Sequence, residues 1–356
     1  MRRHWQRRPL LVRAGLQPAT SPVTRAQLFA MAADGDVESR LVKRSGARWT
    51  VQHGPLPRRR LPPLRQPGWT LLVQGVDLFV EAAHRLLRPF RFVPDARLDD
   101  LMISYASDGG GVGPHVDAYD VFLLQLHGRR RWRVGRVRDQ RLVEGAPLKL
   151  LRHFAASHEW LLEPGDLLYL PPGWGHDGVA AGECMTASVG FRSPRSDELA
   201  QALLLGLADA APDARAAALY SDRASAPTAT PGRIPTGLQQ FARAAWQRAT
   251  RSPRALEHAL GQWLSEPKPR VWFEPARASR SLGSRSIELN RRTRMLYDAH
   301  HVYINGESLA VAGRDGQCLR CLADARELPG AEVRRLSKAT RAIVQQWLSA
   351  GWLHER

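Results

Sequence analysis

Three side chains of the sequence could bind one metal ion. His115 and Asp117 lie in the segment GGGVGPHVDAYDVF, and His176 follows in the later segment LEPGDLLYLPPGWGHDGV. Two imidazoles and one carboxylate can occupy one face of a metal and leave its other coordination positions open, which is the arrangement of non-haem Fe(II) oxygenases. We therefore predict that His115, Asp117 and His176 are both the metal ligands and the catalytic residues.

The spacing of these residues indicates how the chain positions them. His115 and Asp117 are two residues apart, so on a strand both side chains point to the same face. His176 is expected just past the end of a strand over 167–170, because Pro171-Pro172-Gly173 follows that strand. A glycine-rich run precedes His115 and is expected to leave room near the metal for a bulky substrate. The run consists of Gly109, Gly110, Gly111 and Gly113.

Arg130 is the next candidate. It lies in the run Arg129-Arg130-Arg131-Trp132-Arg133-Val134, a strand expected to follow a turn at Gly128. Strand alternation places it on the same face as the apolar Trp132 and Val134. A buried guanidinium is costly unless it is paired. A dicarboxylate cosubstrate bound to the iron would provide a partner, since arginine suits bidentate binding of a carboxylate. The alternative is a salt bridge with a protein acid such as Glu144 or Glu163.

The elements around these residues predict a mostly β domain over 1–195. Short apolar runs alternate with turn signals there, a spacing typical of a sandwich or barrel, and helical patterns interrupt them near 21–31 and 78–87. Alanine- and leucine-rich helical patterns follow, so 196–268 is predicted to be a helical region. These helical patterns span 199–220, 237–248 and 252–264, with a linker at 221–235.

The last segment, 269–356, is predicted to be a winged-helix-like α+β domain. An Asn305-Gly306 turn between two apolar runs indicates a hairpin, and residues 331–352 have helical periodicity. Such a module either binds nucleic acid or is a structural appendage.

Composition sets the broad class. The chain has 356 residues, 44% of them hydrophobic and 24% charged, as in a folded globular protein. The formal net charge of +18 favours a polyanionic partner, but only four of the 52 basic residues are lysines, so arginine bias contributes and nucleic-acid binding stays open. Three cysteines are too few for a disulfide framework and fit a reducing compartment. No targeting or membrane segment is recognised, and we expect a cytoplasmic protein without a membrane partner.

The sequence resembles a known family. The three candidate ligands, the inward arginine and the run PGDLLYLPPGWGH are similar to those of JmjC-type cupin oxygenases, which depend on Fe(II) and 2-oxoglutarate. Beyond these motifs, the segments HWQRRPLLVR and LMISYASDGGGVGPHVDAYDVFLLQLHGRRRW, with the helical and winged-helix-like parts, resemble bacterial ribosomal oxygenases. The resemblance implies a double-stranded β-helix and cosubstrates 2-oxoglutarate and O2. It also implies hydroxylation of an arginine side chain of a large-subunit (50S) ribosomal protein.

The resemblance also implies residue roles. Arg130 would bind the distal carboxylate of 2-oxoglutarate, with Ser104 assisting, while Ala106 replaces a serine that is common in the family. Tyr119 and Asp120 would face the substrate, although Asp120 could equally be a solvated turn acid. The helical region resembles the family's dimerisation segment and so implies a homodimer.

Three other functions stay open at this stage. One is another 2-oxoglutarate-dependent reaction, such as hydroxylation of histidine or demethylation of methyl-lysine. The second is a non-enzymatic nucleic-acid binder built on a cupin and winged-helix scaffold. The third is a metal-dependent isomerase, which would not need Arg130.

Overall fold

The structure, a computed structural model, divides into two compact units, Met1–Ser193 and Pro194–Arg356. It describes residues 3–16, 21–209, 218–221, 223, 230–250, 253–275, 282–283 and 285–356. No helix in these ranges is long and apolar enough to span a bilayer.

The first unit is mostly β, as predicted. Its strands form one antiparallel sheet in the order β1-β9-β7-β10-β5-β4-β2-β3, with β6 paired to β10 and β8 paired to β7. Its strands are β1 (Leu10–Val12), β2 (Ser39–Ser45), β3 (Arg48–His53), β4 (Trp69–Val73), β5 (Leu98–Ala106), β6 (His115–Val116), β7 (Asp120–Arg136), β8 (His158–Leu162), β9 (Leu167–Leu170) and β10 (Trp174–Phe191). Its helices are α1 (Arg25–Ala33), α2 (Val76–Phe79) and α3 (Glu81–Leu86).

Two long strands organise this unit. The sequence suggests a turn at Gly128 between two strands, but β7 continues through it, with Gly128 at a φ of +61°. Strand β10 pairs with β7 along most of its length, and the register shifts between Ala181 and Met185. Strand β10 also pairs with β5 and β6. The candidate site residues lie on or beside β5, β6, β7 and β10.

The core of the first unit lies between the sheet and its helices. Leu28 of α1, Leu71 of β4 and Ile103 of β5 are fully buried, and each buried side chain of this size stabilises the fold by roughly 1.5–3 kcal/mol. The helix α1 begins with a capping box, in which Thr24 Oγ1 accepts from the Gln27 amide and Gln27 Oε1 accepts from the Thr24 amide.

The segments on both sides of β1 are fixed to the sheet. The Trp5 ring stacks on Tyr169 with the ring centroids 5.5 Å apart. The buried carboxylate of Asp166 accepts from the backbone amides of Ala14 and Glu163, both at 3.0 Å, and from Arg13 Nη1. Desolvation raises the pKa of Asp166, but these hydrogen bonds outweigh it and the net shift is downward.

The second unit combines helices with two small sheets, in the orders β15-β11-β16 and β12-β13-β14. Its helices are α4 (Ser196–Asp209), α5 (Thr236–Ala249), α6 (Pro253–Ser265), α7 (Gly313–Ala325), α8 (Gly330–Arg335) and α9 (Lys338–Ser349). Its strands are β11 (Ile287–Leu289), β12 (Met295–Tyr297), β13 (His301–Ile304), β14 (Glu307–Ala310), β15 (Glu327–Leu328) and β16 (Leu353–Glu355).

The local predictions for this unit hold with one correction. Asn305 and Gly306 adopt positive φ values of 49° and 88° between β13 and β14, so the predicted hairpin is confirmed. The helical pattern over 331–352 is two helices, because Ser337 caps a new helix by accepting from the Thr340 amide at 3.3 Å. Parts of the predicted helix 199–220 and of the linker 221–235 lie outside the described residues.

Candidate metal centre and cosubstrate pocket

The three predicted ligands meet in the first unit. His115 on β6 is the direct cross-strand partner of His176 on β10, and Asp117 follows β6 on the same face. The sequence placed His176 just past a strand end, but β10 already begins at Trp174, so His176 is held within a strand. The turn between β9 and β10 spans 171–173, and pairing with both β6 and β7 fixes the backbone of His176.

The geometry of these residues suits a small metal ion. One ligand atom from each of the three lies within 4.8 Å of the others, the only such set of three or more His, Cys, Asp or Glu residues found in the described part of the chain. His176 Nε2 is 3.6 Å from Asp117 Oδ2, and the two imidazole centroids are 4.2 Å apart.

Backbone carbonyls orient both imidazoles. His115 Nδ1 lies 2.9 Å from the Gly113 carbonyl, and His176 Nδ1 lies 3.2 Å from the Trp174 carbonyl. A carbonyl oxygen only accepts, so each Nδ1 carries the proton and each Nε2 keeps a lone pair for a metal. This support is typical of histidine ligands in metalloproteins.

The protonation states also favour a cation. His176 is almost completely buried, and desolvation, then repulsion from His115, lowers its pKa well below the usual value, so the imidazole is neutral. Desolvation raises the pKa of Asp117, with the nearby His115 opposing the shift. A divalent metal would relieve both costs, so the donor set fits the Fe(II) site that the sequence predicts.

Arg130 lies deep in the same unit, with 3% of its surface exposed. Its hydrogen-bond acceptors are all uncharged: Nη1 donates to Ser104 Oγ at 3.2 Å and to Thr186 Oγ1 at 3.4 Å, and Nη2 donates to the Gly178 carbonyl at 3.3 Å. Within the described residues its Nε has no partner. Burial lowers the pKa of the guanidinium, which is therefore a cation short of a counter-ion.

The alternative salt bridge is not present. Glu144 and Glu163 are exposed and neither pairs with Arg130. Ser104 is placed as expected, whereas Thr186 was missed by the sequence reasoning. Thr186 is the cross-strand neighbour of Ser104, and this pairing depends on the register of β10 against β5, which no local sequence pattern shows.

The glycine-rich run has a different local role from the expected one. Gly109 N donates to the Ala180 carbonyl at 3.0 Å, and the Ala180 amide donates to the Gly110 carbonyl at 2.9 Å. A Cβ on Gly111 would lie 2.5 Å from the Gly178 carbonyl oxygen. The run therefore packs against β10 next to the candidate pocket, and close backbone contact is the reason for glycine there.

The two predicted substrate residues are placed differently from each other. Tyr119 is 42% exposed beside Asp117. Asp120 is fully buried, and its carboxylate accepts from Tyr169 Oη at 2.6 Å and Gln6 Nε2 at 3.0 Å, with Arg97 at 3.4 Å. These protein partners occupy the Asp120 carboxylate, which leaves Tyr119 as the candidate substrate residue.

Two family models match the chain. One describes a JmjC domain and matches residues 85–199, and the other describes a ROXA-like winged helix and matches residues 243–354. The predicted fold classes of the N-terminal and C-terminal domains are thereby confirmed. The second match begins inside the predicted helical region.

Similar proteins extend the match to nearly the whole chain. The chain is 35% identical to the ribosomal protein uL16 3-hydroxylase of Escherichia coli K12, over 87% of its own length and 84% of that protein. It is 36% identical to a probable ribosomal oxygenase of Haemophilus influenzae over 60% of its length and 54% of that protein.

Solved structures agree. The crystal structure of E. coli YcfD superposes with a TM-score of 0.86 at 31% identity, covering 100% of this chain and 96% of the other. A complex of YcfD with cobalt and 2-oxoglutarate gives a TM-score of 0.81 at 31% identity, covering 99% and 96%.

Proposed function

The chain belongs to the JmjC-type ribosomal oxygenases, enzymes that use Fe(II), 2-oxoglutarate and O2, and we propose that it hydroxylates an arginine side chain of a large-subunit ribosomal protein. The curated E. coli relative acts on ribosomal protein uL16, and this chain's proposed target is the corresponding protein.

The observation that carries the proposal is the pairing of two features in one pocket. A set of three metal donors lies on β6, directly after β6 and on β10, and a buried arginine without an acidic partner lies on the adjacent β7. A cosubstrate with a metal-chelating end and a distal carboxylate satisfies both. We assign His115, Asp117 and His176 as iron ligands, and Arg130 with Ser104 and Thr186 as the site of the distal carboxylate.

The protein residues bind and orient, and the iron with 2-oxoglutarate and O2 supplies the oxidation of an unactivated C–H bond. The two Nδ1 hydrogen bonds hold the imidazoles so that their Nε2 atoms face the metal. Arg130 fixes the far end of the cosubstrate from a buried position, where a charged hydrogen bond is stronger than in solvent.

The exposed side of the site suits a cationic substrate. Partial desolvation, followed by the negative charges of Asp117, Asp100 and Asp99, raises the pKa of Tyr119, so its hydroxyl is neutral beside nearby carboxylates. Across this space, a Cβ on Gly190 would lie 3.8 Å from the Tyr119 ring and 3.7 Å from Asp100 Oδ1. We propose that the substrate arginine enters beside Tyr119, where the exposed Asp99 adds negative charge. The buried Asp100 carboxylate already accepts from Gln74 Nε2 and the Gly75 amide.

We also propose a homodimer formed through the helices of the second unit. Each of α4, α5 and α6 exposes large apolar side chains. These are Leu204, Leu205, Leu238, Trp246 and Leu256. Large apolar side chains exposed on helices suit a protein interface. Leu205→Glu should convert a dimer to a monomer in light scattering, and an unchanged mass would contradict this part of the proposal.

Residues 1–195, 196–268 and 269–356 are then the catalytic, dimerisation and winged-helix-like regions. The substrate, a ribosomal protein, supports a cytoplasmic location. Nucleic-acid binding by the last region is not part of the proposal.

The test is turnover of 2-oxoglutarate with Fe(II) and a panel of ribosomal-protein peptides. The expected product is a uL16 peptide heavier by one oxygen atom, with fragmentation placing the oxygen on arginine. Asp117→Ala should abolish both product and stimulated 2-oxoglutarate turnover, because the metal loses its carboxylate ligand.

Other outcomes would identify the alternatives. Oxygen on histidine, or loss of a methyl group from lysine, would replace the arginine assignment with another 2-oxoglutarate reaction. A cellular phenotype that Asp117→Ala leaves intact would favour a binding function.

A further inference from the structure

The Trp132 side chain carries a buried hydrogen-bond donor that the fold does not satisfy. Only 5% of Trp132 is exposed, and its indole Nε1 has no hydrogen-bond partner in the described parts of the chain. Buried donors of this kind are rare in native proteins, and each one calls for an explanation such as an absent ligand.

The position of the ring connects the two ends of the proposed pocket. Arg130 Cζ lies over the Trp132 ring, 5.1 Å from its centroid. The His176 ring centroid is 5.8 Å from the ring of Trp132. The indole is therefore close both to the guanidinium proposed for the distal carboxylate and to one of the proposed iron ligands.

The orientation of the ring is fixed by the neighbouring strand. Trp132 is the cross-strand partner of Gly178 on β10, and a Cβ at Gly178 would lie 2.6 Å from Trp132 Cζ3 and 2.7 Å from Cη2. The six-membered ring of the indole thus packs against Gly178, which fixes the orientation of the side chain. The same Gly178 accepts from Arg130 Nη2 through its carbonyl, so both side chains are set by one residue.

We propose that Trp132 is a positioning residue for the cosubstrate, whose indole N–H donates to a carboxylate oxygen of 2-oxoglutarate. The inference rests on the proposed function, since it needs 2-oxoglutarate in this pocket. In the bound state the indole face walls the carbon chain of the cosubstrate, and its N–H satisfies one carboxylate lone pair. Trp132 and Arg130 then donate hydrogen bonds to the 2-oxoglutarate carboxylates, in addition to those from the neutral Ser104 and Thr186 hydroxyls.

The test compares two tryptophan-to-phenylalanine variants. Trp132→Phe keeps an aromatic ring and removes the N–H. Trp69→Phe is the matched control, because Trp69 is also fully buried with an unpartnered Nε1 but packs against Phe29 and Tyr105 in the main core. Calorimetric titration of 2-oxoglutarate into Zn(II)-loaded full-length protein measures the affinity without turnover.

We expect Trp132→Phe to weaken 2-oxoglutarate binding about tenfold to a hundredfold, the effect of losing one hydrogen bond to a charged group, and Trp69→Phe to leave it unchanged. Equal affinities of wild type and Trp132→Phe would overturn the inference. Failure of the wild type to bind 2-oxoglutarate would instead overturn the proposed function, so the two failures are distinct.

A second readout follows the N–H itself. In the indole region of a proton–nitrogen correlation spectrum, the Trp132 signal is the one that Trp132→Phe removes. It should move downfield when 2-oxoglutarate binds the Zn(II)-loaded wild type, because the proton gains an acceptor. The same movement with succinate would place the acceptor at the Arg130 end, and movement with 2-oxoglutarate alone would place it at the metal end. A signal that neither compound moves would show that the ring only packs.

Discussion

Replacing Arg130 should change cosubstrate binding and stability in opposite directions. The guanidinium is 3% exposed, and its three acceptors are neutral oxygens at 3.2, 3.3 and 3.4 Å, all longer than the roughly 2.7–2.9 Å of a charge-assisted hydrogen bond. The protein without cosubstrate therefore holds a poorly compensated buried charge.

Arg130→Met removes that charge and keeps most of the side-chain volume. Replacing buried charged groups by apolar ones of similar volume is often neutral or stabilising by about 1–4 kcal/mol. Removing one partner of a buried ion pair costs about 3–5 kcal/mol, which corresponds to a loss of about 150-fold to several thousandfold in affinity. We therefore expect Arg130→Met to bind 2-oxoglutarate at least a hundredfold more weakly, with unchanged or higher stability of the metal-free protein.

The assay pairs calorimetric titration of 2-oxoglutarate into Zn(II)-loaded protein with urea unfolding of the metal-free protein. Arg131→Met is the matched control, because Arg131 is on the same strand but half-exposed and bonded to the equally exposed Glu159. A surface pair of this kind contributes about 0–1 kcal/mol, so the control should change neither measurement appreciably. The reasoning would be refuted if Arg130→Met destabilised the metal-free protein by several kcal/mol while its affinity for 2-oxoglutarate stayed normal.

Three further perturbations test the surroundings of the site. Gly178→Ala should displace the Trp132 ring, destabilise the protein by about 1–3 kcal/mol and weaken 2-oxoglutarate binding. Unchanged stability in urea unfolding and unchanged affinity would show that Gly178 does not hold the ring. Tyr169→Phe removes a 2.6 Å hydrogen bond to the buried Asp120 and should cost about 1.5–3 kcal/mol in urea unfolding, and an unchanged midpoint would mean that the other donors suffice. The net downward shift of the Asp166 pKa means that its carboxylate stabilises the fold above about pH 3.9 and that this contribution is lost as the pH falls through the folded-state pKa. Asp166→Asn should therefore be less stable than wild type at neutral pH, and the difference should close in strongly acidic solution; a difference independent of pH would exclude the charge as its cause.

Local patterns in the sequence predicted much of the fold. Strand alternation put Arg130 on the inward face, and the Asn305-Gly306 dipeptide predicted a hairpin, because both signals depend only on neighbouring residues. The continuity of β7 through Gly128 was not predicted. A glycine in the sequence indicates a turn, and the neighbouring residues do not show that the strand continues after it. Thr186 was also not predicted, because it joins Arg130 only through the register of β10 against β5 and β7.

The residues that face the substrate were harder to predict, because their placement also depends on strand pairing between distant parts of the sequence. Asp120 follows Tyr119 directly, and an acid next to a metal-binding motif is a reasonable candidate for binding a guanidinium. Which of two adjacent residues faces the opening depends on where β7 begins, and the strand begins at Asp120 and turns its carboxylate towards Tyr169. Period-two alternation then leaves Tyr119 beside the site, where Asp100 comes close across Gly190 from β5, a contact that no local pattern contains.

The inward face of β7 thus presents two buried groups that the protein leaves incompletely satisfied, the Arg130 guanidinium and the Trp132 indole N–H. Either alone could be a tolerated defect of packing. They are two residues apart, in contact with each other, and both touch Gly178 on the strand that also carries His176. Unsatisfied donors cost stability in the protein without cosubstrate, and a bound anion that accepts from both would recover that cost. Such an anion, anchored at one end by these donors and at the other by the metal that His176 helps to bind, is a short dicarboxylate, and the pocket's stability deficit is the source of its affinity.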